Sequence, residues 1–273
     1  MRKALILVAV VASAQAPRLA FDAVSVKVNT GGGGPTRVAT LPTRFSAVNA
    51  TLHMLVRYAF NVPDYRLSGG PAWMDSDRFD IEGAAGRTAA FDEIRAMTRT
   101  ALEERFKLRS HVEKRDQPIF VLSVARRDGK LGEQMKPATD ECKPLTPPSG
   151  FPPPPPPPPG GVPAGASRCP SILSPFAISG RKLGMALLVT TLSSSLNRHI
   201  VDQTNLTGTF DLDLHWLPDQ LPQTPPGAPP MPIDSSWPPL STALQDQLGL
   251  KLESQRGPVD VLVIDSVEKP TAD

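Results

Sequence analysis

The pattern that most constrains this chain is a strand–turn–strand stretch that occurs twice. Residues 201–214 open at Val201, turn at Gly208 and continue through Phe210, Leu212 and Leu214. That alternation puts three large apolar side chains on one face of a strand. A looser copy runs from Tyr65 through Gly69 and Gly70 to Phe79-Asp80-Ile81. An amphipathic segment precedes each copy and another follows it, so the chain reads as built twice on one plan.

The flanking segments fill in that plan. Val24, Val26 and Val28 alternate as a first strand, and Arg44 to Val48 reads as a short strand leading to Asn49 as an N-cap. Leu52, Leu55, Val56 and Ala59 then make a buried helical stripe that Pro63 ends. A second helix over 91–106 turns Ile94, Met97, Ala101 and Leu102 inward. Lys107 to Glu113 and Pro118 to Ala125 read as a closing antiparallel pair of strands. In the second half Met185, Leu188, Val189, Leu192 and Leu196 form the cleanest amphipathic helix. Ser241 caps a short helix through Leu244 and Leu248, and 258–264 is a nearly continuous apolar strand.

The halves align at their closing elements. Ala101-Leu102, Phe106 and Leu108 before 118–122 match Ala243-Leu244, Leu248 and Leu250 before 258–262, with a connector two residues shorter in the second half. A change of two keeps strand alternation in phase. The expectation is an α+β protein of two tandem β-α-β-β-α-β-β modules, 17–130 and 176–273. A Pro-rich linker at 131–175 separates them, and a Pro-rich insertion at 217–239 interrupts the second.

Residues 1–16 are set apart. Arg2 and Lys3, an apolar run from Ala4 to Ala12 and the small-x-small site Ala14-Gln15-Ala16 make a secretory signal peptide, too short to span a bilayer. No Cys follows Ala16, which argues against a lipid anchor at that point. The expected location is periplasmic or extracellular, with no membrane insertion after cleavage. Of 29 basic residues, Arg2 and Lys3 fall in the leader, which leaves 27 against 27 acidic ones. That balance, without a basic run, argues against nucleic acid or an anionic membrane as partner.

Cys142 and Cys169 flank the Pro-rich stretch, and an even count in an exported chain predicts a disulfide between them. The unbroken run Pro152 to Pro159 reads as a left-handed extended helix on the order of 25 Å long, a spacer or exposed loop.

The combined motifs resemble a known family. Phe21 to Lys27, Gly69-Gly70-Pro71-Ala72-Trp73, Asp77-Arg78-Phe79-Asp80-Ile81 and Arg105-Phe106-Lys107-Leu108 form one signature in the first half. Val201-Asp202-Gln203-Thr204, Leu206-Thr207-Gly208 and 247–252 continue it. The chain is similar over nearly all its mature length to the exported "soil-associated protein" family of unknown function, of acidobacterial type. Some relatives of that family are joined to a membrane-embedded, antibiotic-sensor-like metallopeptidase, which implies a sensing or binding role, and the resemblance brings no catalytic residues. Each half is also topologically similar to the short N-terminal domains of secretins and TonB-dependent receptors, which are protein-contact modules.

Catalytic patterns are sparse. His53, His111, His199 and His215 are scattered and form neither H-E-x-x-H nor a pair at i, i+4. The glycines at 31–34 lack the Lys-Ser/Thr of a phosphate loop, and no G-x-S-x-G elbow occurs. Ser179 to Lys182 fits S-x-x-K and Ser195 to Asn197 fits S-x-N, two elements of a penicillin-recognising hydrolase, but Lys-Thr-Gly is missing. Asp80 and Asp211 each follow a Phe and read as strand residues facing water or closing a turn. Trp73, Trp216 and Trp237 read as partly buried core. The residues point to a non-catalytic binding, interaction or sensing module of the cell envelope, with no cofactor or metal and an envelope protein or ligand as partner. The competing class is a small envelope hydrolase acting on peptidoglycan or a β-lactam.

Overall fold

The computed structural model describes residues 18–31, 34–139, 171–174, 176–218 and 234–270. The leader 1–16, Cys142, Cys169, the polyproline run and most of the 217–239 insertion lie outside them. Helices and sheets are mixed, and the protein is of the α+β class. It divides into two compact units, one of residues up to 113 together with those from 260 onward, the other of residues 114–259.

In unit one β1 (Ala23–Val28), β2 (Arg37–Leu41), β3 (Arg44–Thr51) and, later, β5 (Arg78–Ala84) form an antiparallel sheet in the order β1-β5-β3-β2. Helix α1 (Leu52–Phe60) leaves β3 directly and buries Leu52, Leu55, Val56 and Ala59, the stripe read from the sequence. Its N-cap is Thr51 rather than Asn49. The strand runs on past Val48, and the Thr51 hydroxyl accepts the Met54 N–H at 3.2 Å. Asn61, with φ 51°, ends the helix. After β4 (Leu67–Gly69) comes the single turn α2 (Trp73–Ser76), and after β5 comes α3 (Phe91–Arg105). The core packs Phe79 edge-on against Phe106 at 5.1 Å, while Phe45 stacks on Tyr58 at 5.0 Å. Such aromatic contacts add about 0.5–1.5 kcal/mol each beyond simple burial.

The sheet of the second unit begins with β7 (Met135–Pro137), β8 (Ser171–Ser174) and β9 (Ala177–Gly184), and α4 (Met185–Ser195) follows. Next come β10 (Ile200–Asp202), β11 (Thr209–His215) and α5 (Leu240–Ala243), which widens into a turn over Leu244–Leu248. Its sheet has the order β7-β11-β9-β8. Counted from the start of each half, both sheets place the first, fifth, third and second strands in that sequence. Leu188, Leu192, Phe210, Leu212, Leu214 and Leu248 fill the core beneath it.

Three features differ from the sequence reading. The closing strand pair of the first half is one strand, β6 (Arg109–Val124), and that of the second half is likewise one, β12 (Leu250–Ser266). At 16 and 17 residues each is about three times the usual length. Lys114 to Gln117 contains no Gly, Asn or Pro and β6 continues through it, with Asp116 held by Arg256 of β12, and Gly257-Pro258 is carried within β12.

Secondly, the two strands of each strand–turn–strand stretch do not pair with each other. Strand β4 lies parallel to β12, Leu67 opposite Leu262, while β5 joins β1 and β3. Strand β10 lies parallel to β6, Ile200 opposite Phe120, while β11 joins β7 and β9. Thirdly, the compact units are not the consecutive segments 17–130 and 176–273. Residues 114–124 of β6 belong to unit two and residues 260–266 of β12 to unit one, so each unit takes its closing strand from the other half of the chain.

Candidate functional site

Each unit carries the same polar device at a kink in its third strand. In unit one the β3–β5 register slips between Ala47 and Ala50, leaving Asn49 as an extra residue with φ 53°. A bulged residue loses its ladder partner, and its N–H needs another acceptor. Asp80 on β5 supplies it at 2.8 Å, and the same oxygen accepts from Asn29 Nδ2 at 2.9 Å. The Asn49 carbonyl takes the Thr36 hydroxyl at 2.9 Å. Lys27 on β1 is the cross-strand partner of Asp80.

In unit two the β9–β11 register shifts in the corresponding place, with Gly180 opposite Leu212 and Leu183 opposite Phe210. Lys182 is the bulged residue, φ 54°, and donates its N–H to Asp211 Oδ1 at 3.1 Å. Lys136 on β7 is the cross-strand partner of Asp211. A Ser–acid pair accompanies each bulge. Ser46 donates to Glu82 at 2.6 Å, and Ser179 donates to Asp213. Asp80 and Asp211, Lys27 and Lys136, Ser46 and Ser179, Glu82 and Asp213 therefore occupy equivalent places. The sequence singled out the two aspartates and Ser179. Glu82, Asp213 and the two lysines were missed, although extending the Phe-Asp-Ile/Phe-Asp-Leu match by one residue finds the two acids.

The units differ beside this device. Where unit one has Val48, unit two has Arg181, whose guanidinium meets Asp211 at 3.2 Å. A cleft of about 350 Å³ opens there, lined among others by Glu133, Lys136, Thr139, Arg181, Asp211 and Asp213. Unit one has a cleft of about 440 Å³ beside its own bulge, lined by Asn29, Gly31, Pro35, Arg37, Val48 and Asn49. In unit two the Asp211 side chain is 14% exposed and that of Arg181 32%. Interactions between such groups are less screened than on an open surface.

The S-x-x-K and S-x-N matches fall on β9 and at the end of α4, with Ser195 its last residue and Asn197 in the turn beyond. Ser179 is buried and gives its hydroxyl hydrogen to Asp213.

The histidines have local partners. His53 on α1 lies between Asp64 and Asp75, 2.8 Å from each. His111 is 2.8 Å from Asp265 and 3.6 Å from Glu113; the Asp265 carboxylate is the main cause raising it above the ordinary histidine range. His199 accepts the Phe120 N–H on its carbonyl at 2.9 Å, and His215 packs on Trp237 at 5.1 Å. Among the described residues no three His, Cys, Asp or Glu side chains are arranged to hold a metal ion. Trp216 and Trp237 are buried in unit two, and Trp73 packs edge-on to Phe79 at 6.3 Å. No helix among the described residues is long and apolar enough to cross a membrane.

No curated protein and no solved structure matches the chain. A family model described as "Protein of unknown function (DUF3738)" matches residues 53–267, a span that reaches into both units. The protein belongs to the DUF3738 family.

Proposed function

We propose that the protein is an exported, non-catalytic binding or interaction module of the bacterial cell envelope. One observation carries the reading. The serine and acid that a hydrolase would draw on in unit two recur as Ser46 and Glu82 in unit one, where Asn49 stands in the place of Lys182. A Ser–acid pair that accompanies the strand bulge in both sheets, with and without the lysine, is part of how the sheets are built. What remains for function is the concave surface beside each bulge. Arg2, Lys3, the apolar run to Ala12 and Ala14-Gln15-Ala16 support export, as does the likeness of the chain's motifs to the exported soil-associated family.

The test is turnover. Purified protein is offered a chromogenic β-lactam and, separately, isolated peptidoglycan. The proposal expects no hydrolysis of either and no difference between the native chain and Ser179→Ala. Hydrolysis that Ser179→Ala abolishes overturns it in favour of a serine hydrolase of the envelope. Export is tested by cell fractionation: a chain cut after Ala16 is expected in the periplasm or medium, and an uncut chain confined to the cytosol removes the envelope assignment.

A further inference from the structure

Arg181 is a charge in the unit-two cleft that its sheet does not require. Unit one gives the bulged Asn49 N–H its acceptor in Asp80 and places the apolar Val48 beside it. In the equivalent place unit two holds Arg181, which among the described residues pairs with Asp211 and has a buried Nε without a hydrogen-bond acceptor. An unsatisfied buried donor destabilises a fold, and the sister unit shows that the fold does not need it. Among the described residues Lys136 and Glu133 have no side-chain hydrogen bond or ion pair, although both line the cleft. Asp213 has one oxygen on Ser179 and, among the described residues, no side-chain partner on the other. The cleft thus presents two cations short of acceptors, Lys136 and Arg181, and two carboxylates short of donors, Glu133 and Asp213.

That set is complementary to a molecule carrying one ammonium and one carboxylate. We propose that the unit-two cleft binds a zwitterion of amino-acid or short-peptide type, its carboxylate on Arg181 and Lys136 and its ammonium on Glu133 and Asp213. Arginine is suited to the first task, because its planar fork pairs with a carboxylate through two parallel hydrogen bonds. A volume near 350 Å³ lies in the range of small-ligand sites and suits a dipeptide. Unit one offers no such pairing, since among the described residues Arg37 is the only charged side chain lining its cleft.

The proposal deepens the binding reading and rests on it, but the two fail separately: hydrolysis refutes the non-catalytic role, whereas failed peptide binding leaves that role standing. The probe is alanyl-alanine, measured by isothermal titration on the purified protein at low salt, beside its N-acetylated and C-amidated forms. The free dipeptide is expected to bind and each blocked form to bind less tightly. Arg181→Val installs the residue unit one already tolerates, and its fold is checked by circular dichroism. It is expected to weaken binding roughly tenfold to a hundredfold, the scale of a lost charge-assisted contact. Arg37→Val in the unit-one cleft is expected to leave affinity unchanged. Absence of binding at millimolar dipeptide, equal binding of the blocked forms, or equal losses in the two arginine variants each overturns the proposal.

Discussion

At the residue scale, two aspartates hold the bulges on which both sheets turn. Each gives a left-handed, non-glycine residue the acceptor that the strand ladder no longer provides. Removing the carboxylate leaves that N–H unsatisfied in a partly buried place. Asp80→Ala and Asp211→Ala are each expected to lower unfolding free energy by about 1.5–3 kcal/mol, read from urea midpoints. A loss within the scatter of ordinary surface substitutions, about 0.5 kcal/mol, counts against the role. Two surface groups set opposite pH slopes. Glu93 is lowered from 4.5 to about 2, first by its Arg87 partner and then by the Ala90 N–H. Its contribution is therefore fully present above the unfolded value and is lost as pH falls toward 2. His111 is raised from 6.5, chiefly by Asp265, so its contribution is fully present below 6.5 and is lost as pH rises through the folded value. Glu93→Gln is expected to flatten the acid limb of a stability–pH curve and His111→Gln the opposite limb. Unchanged slopes refute both assignments.

At the scale of elements, the short strand β4 depends on a glycine. Gly69 has φ 84°, and a Cβ there meets the Ile264 carbonyl oxygen of β12 at 2.8 Å. Gly208, the turn glycine of the second copy, has φ 87° but open space around it. Both alanine variants carry the cost of a left-handed backbone, about 1–2 kcal/mol, but only Gly69→Ala also forces two paired strands apart. Gly69→Ala is expected to be the more destabilising and to speed amide hydrogen exchange at 67–69, with Gly208→Ala leaving those amides protected. Equal effects remove the close approach as the cause. The long strands add a second element-scale feature. In unit two Arg256 on β12 reaches Asp116 on β6 at 2.7 Å, and in unit one His111 on β6 reaches Asp265 on β12. Polar stretches that the sequence offers as gaps between strands are thus paired across neighbouring ones.

At the scale of the molecule, the exchange of closing strands means that neither half of the sequence contains a whole unit. Residues 114–124 complete unit two and residues 260–266 complete unit one. Loss of its closing strand takes Leu262 and Ile264 from the core of unit one, and Leu122 from that of unit two. Burying one such side chain is worth about 1.5–3 kcal/mol. A specific protease site placed between residues 140 and 170 is a direct test. After cutting under reducing conditions, the two fragments are expected to co-elute as one folded species and to separate only in denaturant. Fragments that part under native conditions contradict the exchanged arrangement.

Much of the local structure was legible from the chain alone. The apolar stripes of α1, α3 and α4 and the alternation of β1, β5 and β11 follow from 3.6- and two-residue periods that any packed core must respect. The α+β class follows from their order. Other features were hidden because they depend on partners distant in the sequence. A carboxylate reads the same whether it faces water or holds a bulge, and only the slip in register between β3 and β5, or β9 and β11, gives Asp80 and Asp211 their task. The stretch at 201–214 showed a strand, a turn and a second strand but not their partners, because alternation reveals a strand without naming its neighbour. Sequence determined where that chain turns; the tertiary structure decided that β10 and β11 pair with different strands, because backbone hydrogen bonds are satisfied by whichever ladder the packed core brings within reach.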